Sequence, residues 1–337
     1  MNKSRKKIIG ISLGDPAGIG AEILLKAFPE IIKNGKFLPL VTGDFSVIER
    51  NLEFSGHKCT LNIVKDIKDI RENNLNIYDT GIITGKDFPT GKDSAICGNA
   101  SFLYVSKAVS LWKSKIIDAL VTLPISKKAW HLAGRFYSGH TEFLASELHA
   151  DKYAMIMAAG KIRALLITTH IPLKKVPGVL TKELIIEKII TARNFLLDAG
   201  VKNPLIAVSS LNPHAGEGGV LGSEEEKIIR PAVSHLEKIG IRCIGPFPAD
   251  AVFKKAFENK ADIIAAMYHD QALIPLKTFF SGKLVNCTAG LGMVRTSPGH
   301  GTGFDIAYTG KAVPSSFIEA YRTAARLLSK KEHRKTD

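Results

Sequence analysis

Three histidines, each at or just past the end of a run of strand-forming residues, are the side chains of this sequence best suited to chemistry. His170 follows Leu165-Leu166-Ile167-Thr168-Thr169, His214 follows Ile206-Ala207-Val208-Ser209-Ser210-Leu211-Asn212-Pro213, and His269 follows Ile263-Ile264-Ala265-Ala266-Met267-Tyr268. In parallel sheets those strand ends open on the ligand crevice. Three imidazoles suit a divalent transition metal and leave coordination positions for substrate oxygens. The competing reading of each is a lone hydrogen-bonded loop histidine. Asp270, beside His269, and Asp250, in Gly245-Pro246-Phe247-Pro248-Ala249-Asp250, are carboxylates suited to orienting a ligand, moving a proton or capping a helix.

Four further segments suit an anion or a nucleotide. Gly14-Asp15-Pro16-Ala17-Gly18-Ile19-Gly20 is a glycine-rich turn that lets backbone N–H groups approach a ligand, though a tight structural turn has the same composition. It has neither the GxGxxG nor the GK[ST] spacing. Ser138-Gly139-His140-Thr141-Glu142 opens a helical stretch whose first N–H groups, with the Thr141 hydroxyl, suit a phosphate or carboxylate, or are simply capped. Lys277, Asn286 and Arg295 together offer a point charge, an amide and a guanidinium to a phosphate, or else decorate a solvated surface. Gly299-His300-Gly301-Thr302-Gly303-Phe304-Asp305 is a flexible loop of the kind that wraps a nucleotide or turns a corner.

The elements that must position these groups are those of an α/β protein. Strand-forming runs at Ile8–Leu13, Leu38–Thr42, Ala119–Leu123, Ala154–Ala158, Ala164–Thr169, Leu205–Ser209, Ile241–Gly245 and Ile263–Met267 alternate with helical patterns, which predicts largely parallel sheets. Phe102, Val105, Val109 and Trp112, and then Ile185, Ile189, Ala192 and Leu196, carry helical spacing and predict core faces. Turn-forming residues near Pro124–Ser138 and Phe280–Gly292 suggest where two lobes divide.

Composition narrows the function. The 337 residues, 45% hydrophobic and 23% charged, are enough for about two packed lobes of roughly 150 residues. No apolar run approaches the roughly 20 residues of a membrane helix, and no signal peptide precedes the first strand, so a cytoplasmic protein without membrane contact is expected. Cys59, Cys97, Cys243 and Cys287 form no CxxC pair, so any metal is expected on nitrogen and oxygen. The net charge of +14 favours anionic partners. Apart from the tail Lys330–Lys335 the charge is dispersed, and aromatics are only 7%, so a small anionic molecule is expected rather than nucleic acid.

In their order along the chain these motifs resemble those of the 4-hydroxythreonine-4-phosphate dehydrogenase family of pyridoxal phosphate biosynthesis, over about residues 6–328. The resemblance implies that His170, His214 and His269 hold a divalent metal (zinc, cobalt, manganese or magnesium) and that His140, Thr141, Lys277, Asn286 and Arg295 contact a phosphorylated substrate. It implies NAD or NADP at loops that include Gly14, Asp15, Gly18, Gly299, His300, Gly301 and Asp305. The implied fold is like that of isocitrate and isopropylmalate dehydrogenases: two α/β/α lobes flanking a cleft, 1–130 with 290–337 on the cofactor side and 131–289 on the metal side. A homodimer with a shared active site is implied as well.

The implied reaction oxidises and decarboxylates 4-phosphooxy-L-threonine to 3-amino-2-oxopropyl phosphate, with Asp270, Asp250 or Lys277 relaying protons. A catabolic relative acting on 4-phospho-D-threonate or 4-phospho-D-erythronate carries the same ligand and phosphate motifs. On the residues alone, a metal-dependent hydrolase and a non-catalytic polyanion binder stay open. The chain departs from the family pattern at Gly299 (Asp expected), Gly292 (Pro), Ala251 (Thr) and Ser126 (Asn), and two of these flank the expected cofactor loop.

Overall fold

The computed structural model describes residues 5–336 except Asn34 and His57; the side chains of 332–336, and with them most of the basic tail from Lys330, lie outside the described residues. The strands, in chain order, are β1 (Lys7–Ser12), β2 (Phe37–Gly43), β3 (Leu61–Ile63), β4 (Leu75–Asp79), β5 (Ala119–Thr122), β6 (Ala154–Ala159), β7 (Ile162–Leu166), β8 (Ile206–Ser209), β9 (Cys243–Phe247), β10 (Ile263–Ala266), β11 (Val285–Ala289) and β12 (Val294–Pro298). Each expected strand is present; β3, β4, β11 and β12 are additions.

The chain divides into two units, Met1–His149 with Met293–Leu328 and Ala150–Gly292 with Ser329–Asp337. Residues 131–149, expected in the second lobe, thus belong to the first unit. The cause is aromatic packing: Phe143, on the helix His140–Glu147, meets Phe102 at 4.9 Å and Trp130 at 5.9 Å between ring centroids. Residues 290–292 likewise belong to the second unit, where a Cβ at Gly290 would lie 2.1 Å from the Lys152 carbonyl oxygen.

In the first unit the strands run β3-β4-β2-β1-β5-β12, parallel at every pairing. In the second they run β11-β6-β7-β10-β8-β9, parallel from β7 onward and antiparallel at β11–β6 and β6–β7. The antiparallel pair arises because only Gly160 and Lys161 separate β6 from β7, too short for a crossover helix, and Gly160 takes the left-handed φ of 63° such a turn uses. Every residue of β6, β8 and β10 is buried, which is why they read as continuous apolar runs.

Helix Lys182–Asp198 starts where the Thr181 side chain accepts from the Leu184 N–H, and it buries the expected Ile185, Ile189, Ala192 and Leu196. Helix Ala95–Lys113 is capped by Ser94 and buries Val105 and Val109, while Phe102 and Trp112 lie half-buried at the edges of its stripe. The four cysteines are free; burial raises the thiol pKa of Cys97 to about 11 and of Cys243 to about 12, so neither ionises near neutrality. No helix among the described residues is long and apolar enough to cross a membrane.

Gly98 lets helix Ala95–Lys113 pack directly on helix Lys127–Leu132: a Cβ there would lie 2.0 Å from the Ala129 carbonyl oxygen. Alanine would gain about 1 kcal/mol of helix propensity, but the clash is with backbone, and overpacking costs roughly 1–3 kcal/mol or more. Gly98→Ala is therefore expected to be net destabilising, seen as a lower urea midpoint with unchanged slope.

Candidate active site

The three histidines leave three adjacent parallel strands of the second unit. β10 lies between β7 and β8, with Ala266 opposite Leu166 and Ala265 opposite Val208. The pairing continues past the strand ends: the Ile167 N–H donates to the Ala266 carbonyl at 2.9 Å, and the Thr168 hydroxyl to the Met267 carbonyl at 2.7 Å. Gln271 ties the third strand in. Its side-chain oxygen accepts from the Met267 N–H at 2.6 Å and its amide donates to the Ser210 carbonyl at 2.7 Å. Sequence reasoning passed over this residue, because a glutamine in the first turn of a helix carries no ligand chemistry of its own.

His170 and His269 come together, with ring centroids 5.6 Å apart. Asp270 Oδ1 lies 2.7 Å from His269 Nδ1, the usual way a carboxylate orients an imidazole and leaves Nε2 for another partner. His214 does not join them: among the described residues no three His, Cys, Asp or Glu side chains form a metal-sized group. His214 through Gly218 all have positive φ, from 44° to 77°, and each non-glycine residue so placed costs roughly 1–2 kcal/mol. The donor set suits a divalent metal nonetheless, with two adjoining imidazoles and a third on the exit loop of the neighbouring strand. Asp250 is exposed in the first turn of helix Ala249–Phe257. Lys277 is exposed on the helix His269–Phe280, seven residues and so about 10 Å beyond Asp270 on the same face.

The polar groups expected to meet phosphate are buried to differing degrees. Arg295, on β12, is 3% exposed and donates to the Thr122 hydroxyl at 2.6 Å. His140 opens the helix His140–Glu147 after Gly139, which offers no side-chain cap, and Thr141 beside it is buried. Burial, reinforced by the Arg295 guanidinium, holds the His140 pKa well below the usual histidine range, and its Nε2 is buried without a hydrogen-bond partner. In the second unit, Asn286 Oδ1 on β11 is likewise buried and without one.

The glycine-rich turn and the loop after β12 pack on each other. The Ile19 N–H donates to the Thr302 carbonyl at 2.9 Å, and the Tyr308 hydroxyl to the Pro16 carbonyl at 2.7 Å. A Cβ on Gly14, Gly18 or Gly20 would lie 2.4–2.7 Å from a protein carbonyl oxygen, so close packing within the fold is sufficient reason for these glycines. Gly299 donates its N–H to Ser316 Oγ; His300 Nδ1 lies 3.0 Å from the Gly301 carbonyl, and Nε2 is buried without a partner. Gly301 and Asp305 are exposed. Of the departures from the family pattern, Gly292 has a φ of 74° that proline cannot adopt, and Ser126 caps the helix Lys127–Leu132. Nothing in the structure explains Ala251.

A family model described as pyridoxal phosphate biosynthetic protein PdxA matches residues 36–324. The chain is 42% identical over 324 residues to a 4-hydroxythreonine-4-phosphate dehydrogenase of Sulfurihydrogenibium, covering 95% of this chain and 98% of that one. It is 38% identical over 327 residues to a D-threonate 4-phosphate dehydrogenase of Salmonella typhimurium, covering 95% and 99%. The crystal structure of a 4-hydroxythreonine-4-phosphate dehydrogenase from Klebsiella pneumoniae matches with a TM-score of 0.86 at 36% identity, covering 96% and 99%. These matches define a dehydrogenase. The chain belongs to the PdxA family of pyridoxal phosphate biosynthetic proteins.

Asp15, at the centre of the glycine-rich turn, is 1% exposed; Oδ1 accepts from the Ala17 N–H, while Oδ2 is buried without a partner. Burial, aided by the Asp93 charge, raises its pKa from 3.8 to about 6. The folded chain thus binds the extra proton between those values, and stability falls as pH rises through them. Asp15→Asn removes this penalty. Melting curves should show it more stable than the parent by up to about 3 kcal/mol above pH 6 and no more stable near pH 3.

Proposed function

We propose that this chain oxidises the secondary hydroxyl of 4-phosphooxy-L-threonine, passing hydride to NAD or NADP, and that loss of carbon dioxide then yields 3-amino-2-oxopropyl phosphate. The observation that carries the reading is the His170–His269 pair, with Asp270 on His269 Nδ1, at neighbouring strand ends of a dehydrogenase-family chain.

His170, His214 and His269 are assigned as the holders of a divalent metal, whose chemistry would be Lewis acidity toward an oxygen gaining negative charge. The residues of the loop 299–305, with Gly14, Asp15 and Gly18, are assigned to the nicotinamide cofactor.

The phosphate is assigned to His140, Thr141 and Arg295, with Lys277 and Asn286 as further contacts. Thr122 holds the Arg295 guanidinium still, so little rotational freedom is lost on binding. His140 is neutral at pH 7, so a dianion beside it would meet a hydrogen-bonding group rather than a second fixed charge. Asp270 Oδ1 is engaged by His269, which favours Lys277 and Asp250 over Asp270 for carrying the substrate hydroxyl's proton. A homodimer is part of the same reading.

A second substrate, 4-phospho-D-threonate, has its own support: the relatives at 38% identity carry both names. Steady-state assays of each substrate with NAD and NADP decide between them. The reading predicts reduced nicotinamide from 4-phosphooxy-L-threonine, abolished by chelator and restored by added metal; a strong preference for the sugar acid would move the assignment to the second substrate. Turnover without nicotinamide would instead mean hydrolysis. Arg295→Ala is expected to lower kcat/KM by at least about tenfold through loss of charge-assisted hydrogen bonds, with Arg295→Lys recovering only part.

A further inference from the structure

Tyr308 carries a bulky aromatic side chain on backbone with a left-handed φ of 59°. Such a placement is strained for an aromatic residue and persists only where the surroundings over-determine it. Here the surroundings are a cage within the first unit. The ring meets Phe54 edge-on at 5.7 Å and Phe88 at 6.1 Å between centroids, and the Arg50 guanidinium carbon lies 4.8 Å from the ring centroid. Arg50 is held in turn: it lies 4.8 Å from the Phe88 ring, and its Nη1 donates to the Lys86 carbonyl at 2.6 Å. Phe54 and Arg50 belong to the helix Phe45–Ser55.

The cage aims the hydroxyl at the glycine-rich turn, where it donates to the Pro16 carbonyl at 2.7 Å, 292 residues away in sequence. Burial pushes this hydroxyl's pKa well above the usual tyrosine range, so it stays a donor through neutral and mildly alkaline pH. The Ile19 N–H, bonded to the Thr302 carbonyl at 2.9 Å, ties the same turn to the loop after β12. The ends of that segment are fixed independently. The Gly299 N–H donates to Ser316 Oγ, Lys26 Nζ donates to the Gly310 and Ala312 carbonyls at 2.6 and 2.9 Å, and the Ala312 N–H donates to buried Glu22 Oε1 at 2.8 Å. Tyr308 therefore acts on a stretch between pinned ends, where losing one tie shifts the loop without unravelling the fold.

We propose that Tyr308 is a positioning residue for the nicotinamide cofactor: its hydroxyl latches the glycine-rich turn to the loop 299–305, so that the two segments form one preset surface. The inference rests on the assignment of the cofactor to those segments. A ligand touching both would otherwise have to freeze their relative motion as it binds, and the latch removes that cost beforehand.

The test is fluorescence titration of the full chain with NADH and with NADPH, together with amide hydrogen exchange of the free and nucleotide-bound protein. Tyr308→Phe keeps the ring in its cage and deletes only the hydroxyl. The expected result is binding of the preferred nucleotide weakened by about three- to tenfold, the scale of one hydrogen bond, with faster exchange of the Ile19 amide in the free protein. Tyr308→Gly relieves the backbone but empties the cage, and it should weaken binding by at least about tenfold. A role confined to backbone geometry requires the opposite, because glycine suits a φ of 59° best. If Tyr308→Gly does not fold, Tyr308→Phe carries the test alone. Parental affinity in Tyr308→Phe would overturn the proposal, as would parental affinity in a folded Tyr308→Gly. Weaker binding without faster Ile19 exchange would overturn it too, since the hydroxyl would then act on the nucleotide itself. Exchange in the parent separates the two claims. Failure to bind either nucleotide, or binding that leaves 14–20 or 299–305 unprotected, would overturn the cofactor assignment and the latch with it, whereas protection of both beside parental affinity in Tyr308→Phe would overturn the latch alone.

Discussion

The parallel pairing of β7, β10 and β8 is the constraint on which the proposed chemistry depends. Side-by-side strands running the same way end side by side, so residues far apart in sequence emerge at one edge of the sheet. Hydrogen bonding does not stop where the strands do. Thr168 reaches Met267, and Gln271 spans from Met267 to Ser210, so all three exit segments share one polar frame. Moving one segment means breaking bonds to another. The frame is what allows His170 and His269 to stand 5.6 Å apart without covalent linkage.

The first unit keeps a different economy. It buries polar groups whose hydrogen-bonding capacity the fold does not fully use, among them His140 Nε2 and Asp15 Oδ2. Leaving such groups unsatisfied costs stability, and retaining them is the pattern expected where a ligand supplies the missing partner. His140 shows the logic most directly, because low polarity and a neighbouring guanidinium both act to keep it uncharged. The assigned phosphate would give His140 and the Arg295 guanidinium an anionic partner.

Much of this was legible in the sequence. Continuous apolar runs betrayed the fully buried strands, and helical spacing betrayed the core face of Lys182–Asp198. β11 and β12 escaped because their sequences, VNCTA and VRTSP, are polar strands; Asn286 and Arg295 drew notice as chemistry and hid the strands that carry them. The glycine-rich turn invited a ligand reading, yet protein carbonyls already fill the space its missing side chains leave. Glu225, whose buried carboxylate accepts from the Leu211 and Asn212 N–H groups, stands in the run Glu224-Glu225-Glu226, which reads as a solvated surface, and only burial distinguishes it. A usable signal was nearby: Gly216, Gly218, Gly219 and Gly222 crowd around His214, a density that announces unusual backbone needing an anchor.

Three imidazoles sharing one cation are the centre of the proposed chemistry. Anomalous diffraction at the zinc edge from crystals of the zinc-loaded chain tests it most directly. One peak is expected, about 2.0–2.1 Å from a ring nitrogen of each of His170, His214 and His269. A peak on other residues, or one that leaves His214 unengaged, would contradict it.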